Sequence, residues 1–255
     1  MKRKTVCIIQ ARIGSTRLPG KVLLDLEGKN VLERVIERVI KSKFISDVIV
    51  ATTTAREDQK IVRLCSAIGI KSYCGSENDV LDRYFQAARL SEASQIVRVT
   101  SDCPLIDPGI VDKVIKTHLS SGADYTSNTI VETFPDGEDV EIFTFNALKK
   151  AWDGAKALSD REHVTPFIRK NPKLFKLVNV ENSIDLSGKR WTLDEKNDYK
   201  LIKTIYKYLS DKAEYFTMKD VLTLLAKYPE LERLNYGIKR NEGYLKSLKK
   251  DRASV

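Results

Sequence analysis

Short apolar runs alternate with amphipathic helical windows through the first half of the chain. Continuous runs of β-branched residues are typical of strands buried on both faces, and such runs predict strands over residues 5–9, 47–52, 70–74 and 95–100. The windows between and after them predict helices that begin at Asn30, near Arg56, near Asn78 and at Asp107. This alternation predicts an α/β fold with a mainly parallel sheet and right-handed crossovers. Ligands of such sheets bind beyond the carboxyl ends of the strands.

The pattern loosens after about Gly122. Later apolar runs predict strands over residues 125–128, 140–145, 175–180 and 190–193. Helical windows cover residues 146–156 and 160–170, and the chain from Asn197 onward has Leu, Tyr and Lys at helical spacing. No repeat or Gly/Ser/Pro linker interrupts the chain. We therefore expect a main domain over residues 1–204 and a helical C-terminal appendage, residues 205–255, that packs on it.

The composition narrows the class of protein. A chain with 42% hydrophobic and 31% charged residues is not disordered, and no uncharged stretch approaches the roughly 20 residues of a membrane span. Gln10 and Arg12 interrupt the first apolar run before a signal peptide could form, so export is not expected. Four cysteines without C-x-x-C spacing are typical of reduced thiols and predict a cytoplasmic location. The net charge of +9 favours an anionic partner: a nucleotide, a sugar acid or nucleic acid.

A cationic, glycine-containing loop follows the first predicted strand. Its glycines, hydroxyls and cations are Gly14, Gly20, Ser15, Thr16, Arg12, Arg17 and Lys21. Glycines let backbone N–H groups approach phosphate oxygens, hydroxyls add hydrogen bonds, and cations neutralise phosphate charge. The spacing differs from that of a P-loop, and no G-x-G-x-x-G is present. The loop predicts a phosphate site, and a solvated basic turn is the alternative.

Two aspartates that end predicted strands are candidate metal ligands. Asp102 follows the fourth predicted strand, and Asp194 closes the last one. Mg²⁺ commonly takes one or two carboxylates together with phosphate oxygens and water. Each aspartate also precedes a turn or a helix, so capping is the alternative role for both.

Several motifs together resemble one enzyme family. The stretch IIQARIGSTRLPGKVL is similar to the nucleotide loop of CMP-sugar-acid synthetases, which include the CMP-3-deoxy-manno-octulosonate synthetases and the acylneuraminate cytidylyltransferases. The spore-coat polysaccharide F-type cytidylyltransferases match best, through that stretch and GSENDVLDRY, TSDCPLIDP, FPDGEDVE and REHVTPFIR in the same order. The resemblance covers roughly residues 5–199. It implies a glycosyltransferase-A-like, Rossmannoid three-layer fold for the main, nucleotidyltransferase domain, with CTP as donor, Mg²⁺ as cofactor and pyrophosphate as product.

The resemblance implies roles for the loop and the aspartates. Octulosonate-type synthetases carry a V-D-T-P-E-D-L-like string whose first Asp joins an earlier Asp at the metal. Asp194 matches that Asp, although Glu195-Lys196 replaces the Thr-Pro that follows it. Asp102 and Asp194 are therefore the expected Mg²⁺ ligands. The expected catalytic residues, which include the cations that stabilise the leaving pyrophosphate, are Lys21, Arg12, Arg17 and Asp102.

Nucleotide contacts are expected from the loop and from the segment after the third predicted strand. In related synthetases this segment approaches the base and ribose, which makes Asn78 and Arg83 candidates. The complete predicted set is Gln10, Ala11, Arg12, Gly14, Ser15, Thr16, Lys21, Asn78, Arg83, Ser101 and Asp102. Helix capping by Asn78 and a solvated position for Arg83 are the alternatives.

Acceptor contacts are expected from the second half of the chain. Asp139 and Glu141 are two residues apart on a predicted strand and share one face, where they could bind acceptor hydroxyls. The alternative for this acidic run is a solvated turn. The remaining acceptor candidates are Asn128, Arg161 and His163. A structural or surface role is the alternative for the histidine.

The predicted function is transfer of CMP from CTP to a nonulosonate- or octulosonate-like sugar acid in surface-polysaccharide synthesis. One alternative keeps the fold but uses another nucleoside triphosphate, or a phosphorylated polyol or sugar phosphate as acceptor. A catalytically silent homologue and a basic nucleic-acid-binding module are further alternatives, although no aromatic-rich binding ribbon accompanies the pI of about 9.2. The expected partners are CTP and a small acidic acceptor, without nucleic acid, and a homodimer is the assembly considered.

Overall fold

A computed structural model describes residues 4–210, 215–238 and 240–253. Its strands are β1 (Thr5–Gln10), β2 (Asp47–Thr53), β3 (Lys71–Gly75), β4 (Gln95–Thr100), β5 (Tyr125–Ser127), β6 (Glu141–Thr144) and β7 (Leu177–Asn179). They form one sheet in the order β3-β2-β1-β4-β6-β5-β7. β6 is antiparallel to β4 and β5, and the other pairs are parallel. The predicted mainly parallel mixed sheet is confirmed.

Helices cover both faces of this sheet. They are α1 (Val31–Ile40), α2 (Gln59–Ala67), α3 (Val80–Leu90), α4 (Pro108–Ser121), α5 (Phe145–Gly154), α6 (Leu158–His163), α7 (Pro166–Lys170), α8 (Lys196–Leu209), α9 (Met218–Lys227) and α10 (Glu242–Ala253), with 3-10 helices at Lys21–Leu23, Arg56–Asp58 and Pro229–Asn235. Because side chains alternate along a strand, Cys7 and Ile9 of β1 pack with α1, α2 and α4, whereas Val6 and Ile8 pack with α3 and α5. The result is a three-layer α/β structure.

A third apolar cluster joins the C-terminal helices to the loops near β1 and β4. Leu201, Ile202 and Ile205 of α8 pack with Leu26 and Leu105. The predicted domain boundary after residue 204 lies inside α8, and the division into two units remains a prediction. Residues 1–3, and residues 211–214, 239, 254 and 255 of the predicted appendage, lie outside the described residues. Within the described ranges, no helix combines the length and apolar character that a membrane crossing requires.

Two predicted elements differ from the structure. The window over residues 160–170 forms two helices, α6 and α7, because α6 ends before Val164, whose φ of +71° is not helical, and Pro166 begins α7. Residues 190–193 form no strand. The backbone N–H of Trp191 donates to Asp136 at 2.6 Å and that of Leu193 donates to Asp102 at 2.8 Å. These partners belong to two different loops, so no ladder forms beyond one isolated bridge.

Candidate active site

The carboxyl ends of β1 and β4 bring two loops of the site together. The strands are adjacent and parallel, and Gln10 at the end of β1 pairs with Thr100 at the end of β4. Both strands are almost entirely buried, so the polar residues that follow them lie at the edge of the sheet. The cationic loop and the turn that contains Asp102 therefore meet at one edge, as expected for parallel strands.

Lys21 joins the two predicted metal ligands. Its Nζ atom lies 2.8 Å from Oδ2 of Asp102 and 2.8 Å from Oδ1 of Asp194. Burial lowers the pKa of Lys21, but the two carboxylates outweigh this effect and raise it. Burial likewise raises the pKa of Asp102, but Lys21 outweighs it and leaves the pKa at about 2. Lys21 and Asp102 are therefore both charged at neutral pH.

A backbone contact brings Asp194 to the turn after β4. The N–H of Leu193 donates to the carbonyl of Asp102 at 2.8 Å, and the hydroxyl of Thr192 donates to the same carbonyl at 3.3 Å. Asp194 is the next residue of the chain. The two aspartates converge because one loop lies directly along the other.

The second oxygen of Asp194 contacts two arginines. Oδ2 lies 2.8 Å from Arg17 and 3.4 Å from Arg190. Asp198, which is fully buried, lies 3.0 Å from Nε of Arg190 and accepts from the backbone N–H groups of Asp194 and Glu195 at 3.0 and 2.9 Å. These bonds hold the turn before α8 and thereby fix the position of the Asp194 carboxylate.

The carboxylate oxygens of this cluster suit a cation that is coordinated partly by the protein and partly by the phosphates of a nucleotide. Asp102 and Asp194 contact the same ammonium group, so they are close enough to approach one small cation. Carboxylate oxygens are the hard ligands that Mg²⁺ prefers, and Mg²⁺ needs only one or two of them when phosphates supply others. In the described part of the chain, no cluster of three or more His, Cys, Asp and Glu side chains could hold a metal by itself.

The cations of the loop after β1 pair with carboxylates in two different places. Arg17 and Lys21 contact the aspartates, whereas Arg12 pairs with Glu77 at 2.9 Å at an exposed position. The backbone turns back at Gly20, whose φ of +69° favours glycine. Among the remaining predicted loop residues, Ala11 is buried and its N–H donates to the carbonyl of Ala51. The Oγ atom of Ser15 accepts from the N–H of Leu18. Gly14 and Thr16 are exposed.

The two candidates for base and ribose contacts differ in their surroundings. Arg83 is 2% exposed, so its predicted solvated alternative is wrong. Its Nε and Nη1 atoms have no hydrogen-bond partner within the described residues, and burial lowers its pKa. Asn78 is exposed, and the cap of α3 is Asp79, whose carboxylate accepts from the N–H of Asp82. Ser101 is buried, and its N–H donates to the carbonyl of Gln10 at 3.3 Å.

A cavity of about 510 Å³ opens beside the Lys21 cluster. The predicted site residues among its lining are Gln10, Arg17, Asp102, Asp139, Glu141, His163 and Asp194. Residues 241–245, at the start of α10, form part of its wall. This size and polarity suit a small hydroxylated ligand.

Glu141 is a fixed carboxylate in this cavity. It pairs with Arg98 and accepts hydrogen bonds from the hydroxyls of Tyr125 and Thr165, both at 2.6 Å. Burial raises the pKa of Glu141, but Arg98 and these hydroxyls outweigh it and lower the pKa. Asp139 precedes β6 and pairs with Arg240. The acidic run is largely buried, so the alternative of a solvated turn is wrong.

Comparison with known proteins decides the family. Residues 6–244 match the cytidylyltransferase family. The chain belongs to this family. It is 34% identical over 231 residues to the spore coat polysaccharide biosynthesis protein SpsF of Bacillus subtilis, covering 88% of this chain and 94% of the relative. It is 33% identical over 156 residues to the 3-deoxy-manno-octulosonate cytidylyltransferase of Geotalea daltonii, covering 55% of this chain and 60% of the relative.

A solved structure supports the same grouping. The cytidylyltransferase from Leptospira borgpetersenii serovar Hardjo-bovis is 34% identical, covers 93% of this chain and 99% of its own, and superposes with a TM-score of 0.87. The Rossmann-like α/β nucleotidyltransferase fold and the resemblance carried by the five motifs are therefore confirmed.

Two predicted acceptor residues of this cytidylyltransferase do not line the cavity. The Asn128 side chain is buried, donates to the carbonyl of Glu138 at 2.7 Å and accepts from the N–H of Val140 at 2.8 Å. Arg161 donates to Asp79 through Nε at 2.9 Å and to the carbonyl of Trp152 at 2.9 Å. In both cases the polar atoms bind neighbouring segments, so the contacts are structural.

His163 does line the cavity, and it is held by α10. Its Nε2 atom lies 3.0 Å from Oγ of Ser247, and its ring makes an edge contact with Tyr244. Burial lowers the pKa of His163, which favours the neutral imidazole.

Sequence reasoning missed several arginines of this cytidylyltransferase. Arg98 donates to Gln10 at 3.1 Å and pairs with Glu141. Arg169 lines the cavity, Arg190 supports Asp194, and Arg240 pairs with Asp139. One signal was available, because Arg98 interrupts an otherwise apolar strand and a buried charge requires a partner. Arg169 ends the motif REHVTPFIR, whereas Arg190 and Arg240 lie in stretches without a distinguishing local pattern.

Proposed function

We propose that this cytidylyltransferase transfers CMP from CTP to a nonulosonate- or octulosonate-like sugar acid, with release of pyrophosphate, in the synthesis of a surface polysaccharide. The observation that carries the proposal is the contact of Lys21 with both Asp102 and Asp194 beside the 510 Å³ cavity. The names of SpsF and of the octulosonate cytidylyltransferase support the polysaccharide context and the sugar-acid acceptor.

Nucleotidyl transfer requires positioning and charge neutralisation more than covalent help from the protein. An acceptor oxygen forms a bond to the α-phosphorus, the bond to pyrophosphate breaks, and the acceptor hydroxyl loses its proton to solvent. Lys21 and Arg17 supply positive charge for the phosphates, and Arg12 adds charge at the outer side of the loop. The cavity holds the acceptor through hydrogen bonds to carboxylates such as Asp139 and Glu141.

Asp102 and Asp194 are the residues that would hold Mg²⁺. The cation would neutralise phosphate charge and lower the pKa of the acceptor hydroxyl. Competition between this cation and Lys21 for the same carboxylates would leave the ammonium group available to the phosphates. The cytoplasmic location and the homodimer remain predictions.

A pyrophosphate-release screen tests the proposal. CTP, UTP, GTP and ATP are each combined with sugar acids, sugar 1-phosphates and phosphorylated polyols, with Mg²⁺, with Mn²⁺ and with EDTA. We expect the highest kcat/KM for CTP with a sugar acid, and loss of turnover in EDTA that added Mg²⁺ restores. A higher kcat/KM with another nucleotide or with a phosphorylated acceptor would favour the same-fold alternative, and metal-independent turnover would contradict the Mg²⁺ assignment.

A further inference from the structure

Arg169 differs from the other arginines that line the cavity. Arg17 pairs with Asp194, and Arg98 pairs with Glu141. Arg169 makes no ion pair or side-chain hydrogen bond within residues 4–210, 215–238 and 240–253, although it lines the same cavity. An arginine can donate five N–H groups and is always charged. The residue is exposed, so these N–H groups face solvent and are available to a ligand in the cavity.

The backbone places Arg169 on the same side of α7 as Thr165, which contacts Glu141. Arg169 is four residues after Thr165, and its N–H donates to the carbonyl of Thr165 at 3.1 Å. Residues four apart lie on the same helix face, and Thr165 donates its hydroxyl hydrogen to Glu141 at 2.6 Å. The positive charge of Arg169 also lowers the pKa of Glu141, although less than Arg98 and the two hydroxyls do.

A second donor at the same place is also unused. The Nε atom of Arg98 is buried without a hydrogen-bond partner in the described structure, while its other nitrogens bind Glu141 and Gln10. Arg98 thus contacts Glu141 and Arg169 lines the same cavity, and both keep donors that no described protein group occupies. The phosphate-directed cations Lys21 and Arg17 belong to a different loop.

We propose that Arg169 binds the anionic group of the acceptor. This inference rests on the proposed function, because it takes the cavity as the acceptor site. A planar guanidinium matches the two oxygens of a carboxylate or phosphate. Carboxylates elsewhere in the cavity suit hydroxyl groups, so the complementary ligand carries hydroxyls along its length and one oxyanion near α7.

Matched probes test this assignment. The probes are 3-deoxy-manno-octulosonate, its uncharged methyl ester and a sugar 1-phosphate, titrated calorimetrically into the wild type, Arg169→Gln and Arg169→Lys. Lys173→Gln is the matched control, because it removes a positive charge from an exposed residue four positions away that does not line the cavity. Pyrophosphate release with CTP and Mg²⁺ then gives kcat and the KM for each reactant.

We expect Arg169→Gln to weaken binding of the preferred anionic probe by roughly 10-fold to 100-fold, as for hydrogen bonds to a charged group. Binding of the ester and the KM for CTP should change less than about twofold. The affinity of Arg169→Lys for the anionic probe should lie between those of the wild type and Arg169→Gln, since lysine keeps the positive charge but lacks the planar, forked donors of arginine. The difference between the sugar acid and the sugar 1-phosphate identifies the oxyanion. Unchanged thermal unfolding is expected, because no described contact of the side chain is lost.

Three results would overturn the inference: equal weakening of acid and ester, no weakening of either, or failure of every anionic probe to bind the wild type. Failure of the proposed function has a different signature. A wild-type protein that releases no pyrophosphate from any nucleotide contradicts the cytidylyl transfer, whereas the calorimetric comparison of acid and ester still reports on Arg169.

Discussion

Nζ of Lys21 lies 2.8 Å from Oδ2 of Asp102, although the two residues are 81 positions apart in the chain. Their contact results from sheet order, because the loop after β1 and the turn after β4 follow neighbouring parallel strands. Asp194 completes the cluster from a third segment. A cation from the loop after β1 and two candidate metal ligands are thus within contact distance of one another.

Asp102→Asn tests the importance of this carboxylate for turnover. The amide keeps the shape of the side chain but loses the negative charge that a metal ligand needs, so we expect kcat to fall by about 100-fold or more. The measurement is Mg²⁺-dependent pyrophosphate release with CTP. Asp153→Asn is the control, because Asp153 pairs with Lys149 at an exposed helical position. A kcat for Asp102→Asn within about threefold of the control would contradict the assignment.

Lys21→Met tests the charge balance of the cluster through its pH dependence. Lys21 holds the pKa of Asp102 at about 2, below the ordinary 3.8. The ionised carboxylate therefore stabilises the folded state above about pH 4, and this contribution is lost as the pH falls towards 2. Without Lys21 we expect a free energy of unfolding lower by about 2 kcal/mol at neutral pH, given the partial exposure of the aspartates.

Urea unfolding from neutral pH to about pH 2 gives the measurement for Lys21→Met. The difference in the free energy of unfolding between Lys21→Met and the wild type should narrow as Asp102 becomes protonated. Lys29→Met is the control, because Lys29 pairs with Glu37 at an exposed site and should change little. A gap that stays constant down to pH 2 would argue against the ion pair as its source.

Arg161→Ala tests whether Arg161 stabilises the fold or binds the acceptor. Arg161 binds Asp79 and the carbonyl of Trp152, which ties α6 to the start of α3. Losing these bonds should lower the free energy of unfolding by about 1 kcal/mol. The KM for the acceptor should remain within about twofold of the wild type, measured by pyrophosphate release. A large rise in that KM with normal stability would instead restore the predicted acceptor role.

Gly137→Ala tests the contact between the acidic loop and the segment before Asp194. A Cβ atom at Gly137 would lie 2.6 Å from the carbonyl carbon of Trp191 and 2.7 Å from the N atom of Thr192, and the φ of +114° is also unfavourable for alanine. We expect a loss of about 3 kcal/mol in the free energy of unfolding. Gly28→Ala is the control, since its φ is +80° but nothing lies within 4 Å, so about 1 kcal/mol is expected. Equal losses in chemical denaturation would show that backbone strain alone is responsible.

The local sequence pattern was sufficient to predict much of the secondary structure and to place charged residues after β1 and β4. The strands β1 and β4 follow from continuous apolar runs, and the start of α4 follows from the helical window predicted to begin at Asp107. Such features depend on a few neighbouring residues, so they can be derived from a single sequence. Local pattern was insufficient for Asn128 and Arg161, because a polar side chain looks the same in sequence whether it binds a ligand or a neighbouring loop.

The amino-acid sequence alone was enough to predict an α/β core with a mainly parallel sheet, a cationic loop after β1 and an aspartate after β4, since apolar periodicity and residue chemistry are local properties. Tertiary structure alone decided that Arg98 pairs with Glu141, that Arg240 pairs with Asp139, and that the start of α10 forms a wall of the cavity. The partner of a charged side chain is whichever distant segment the sheet order and loop packing bring within about 3 Å of it. That choice depends on the whole fold.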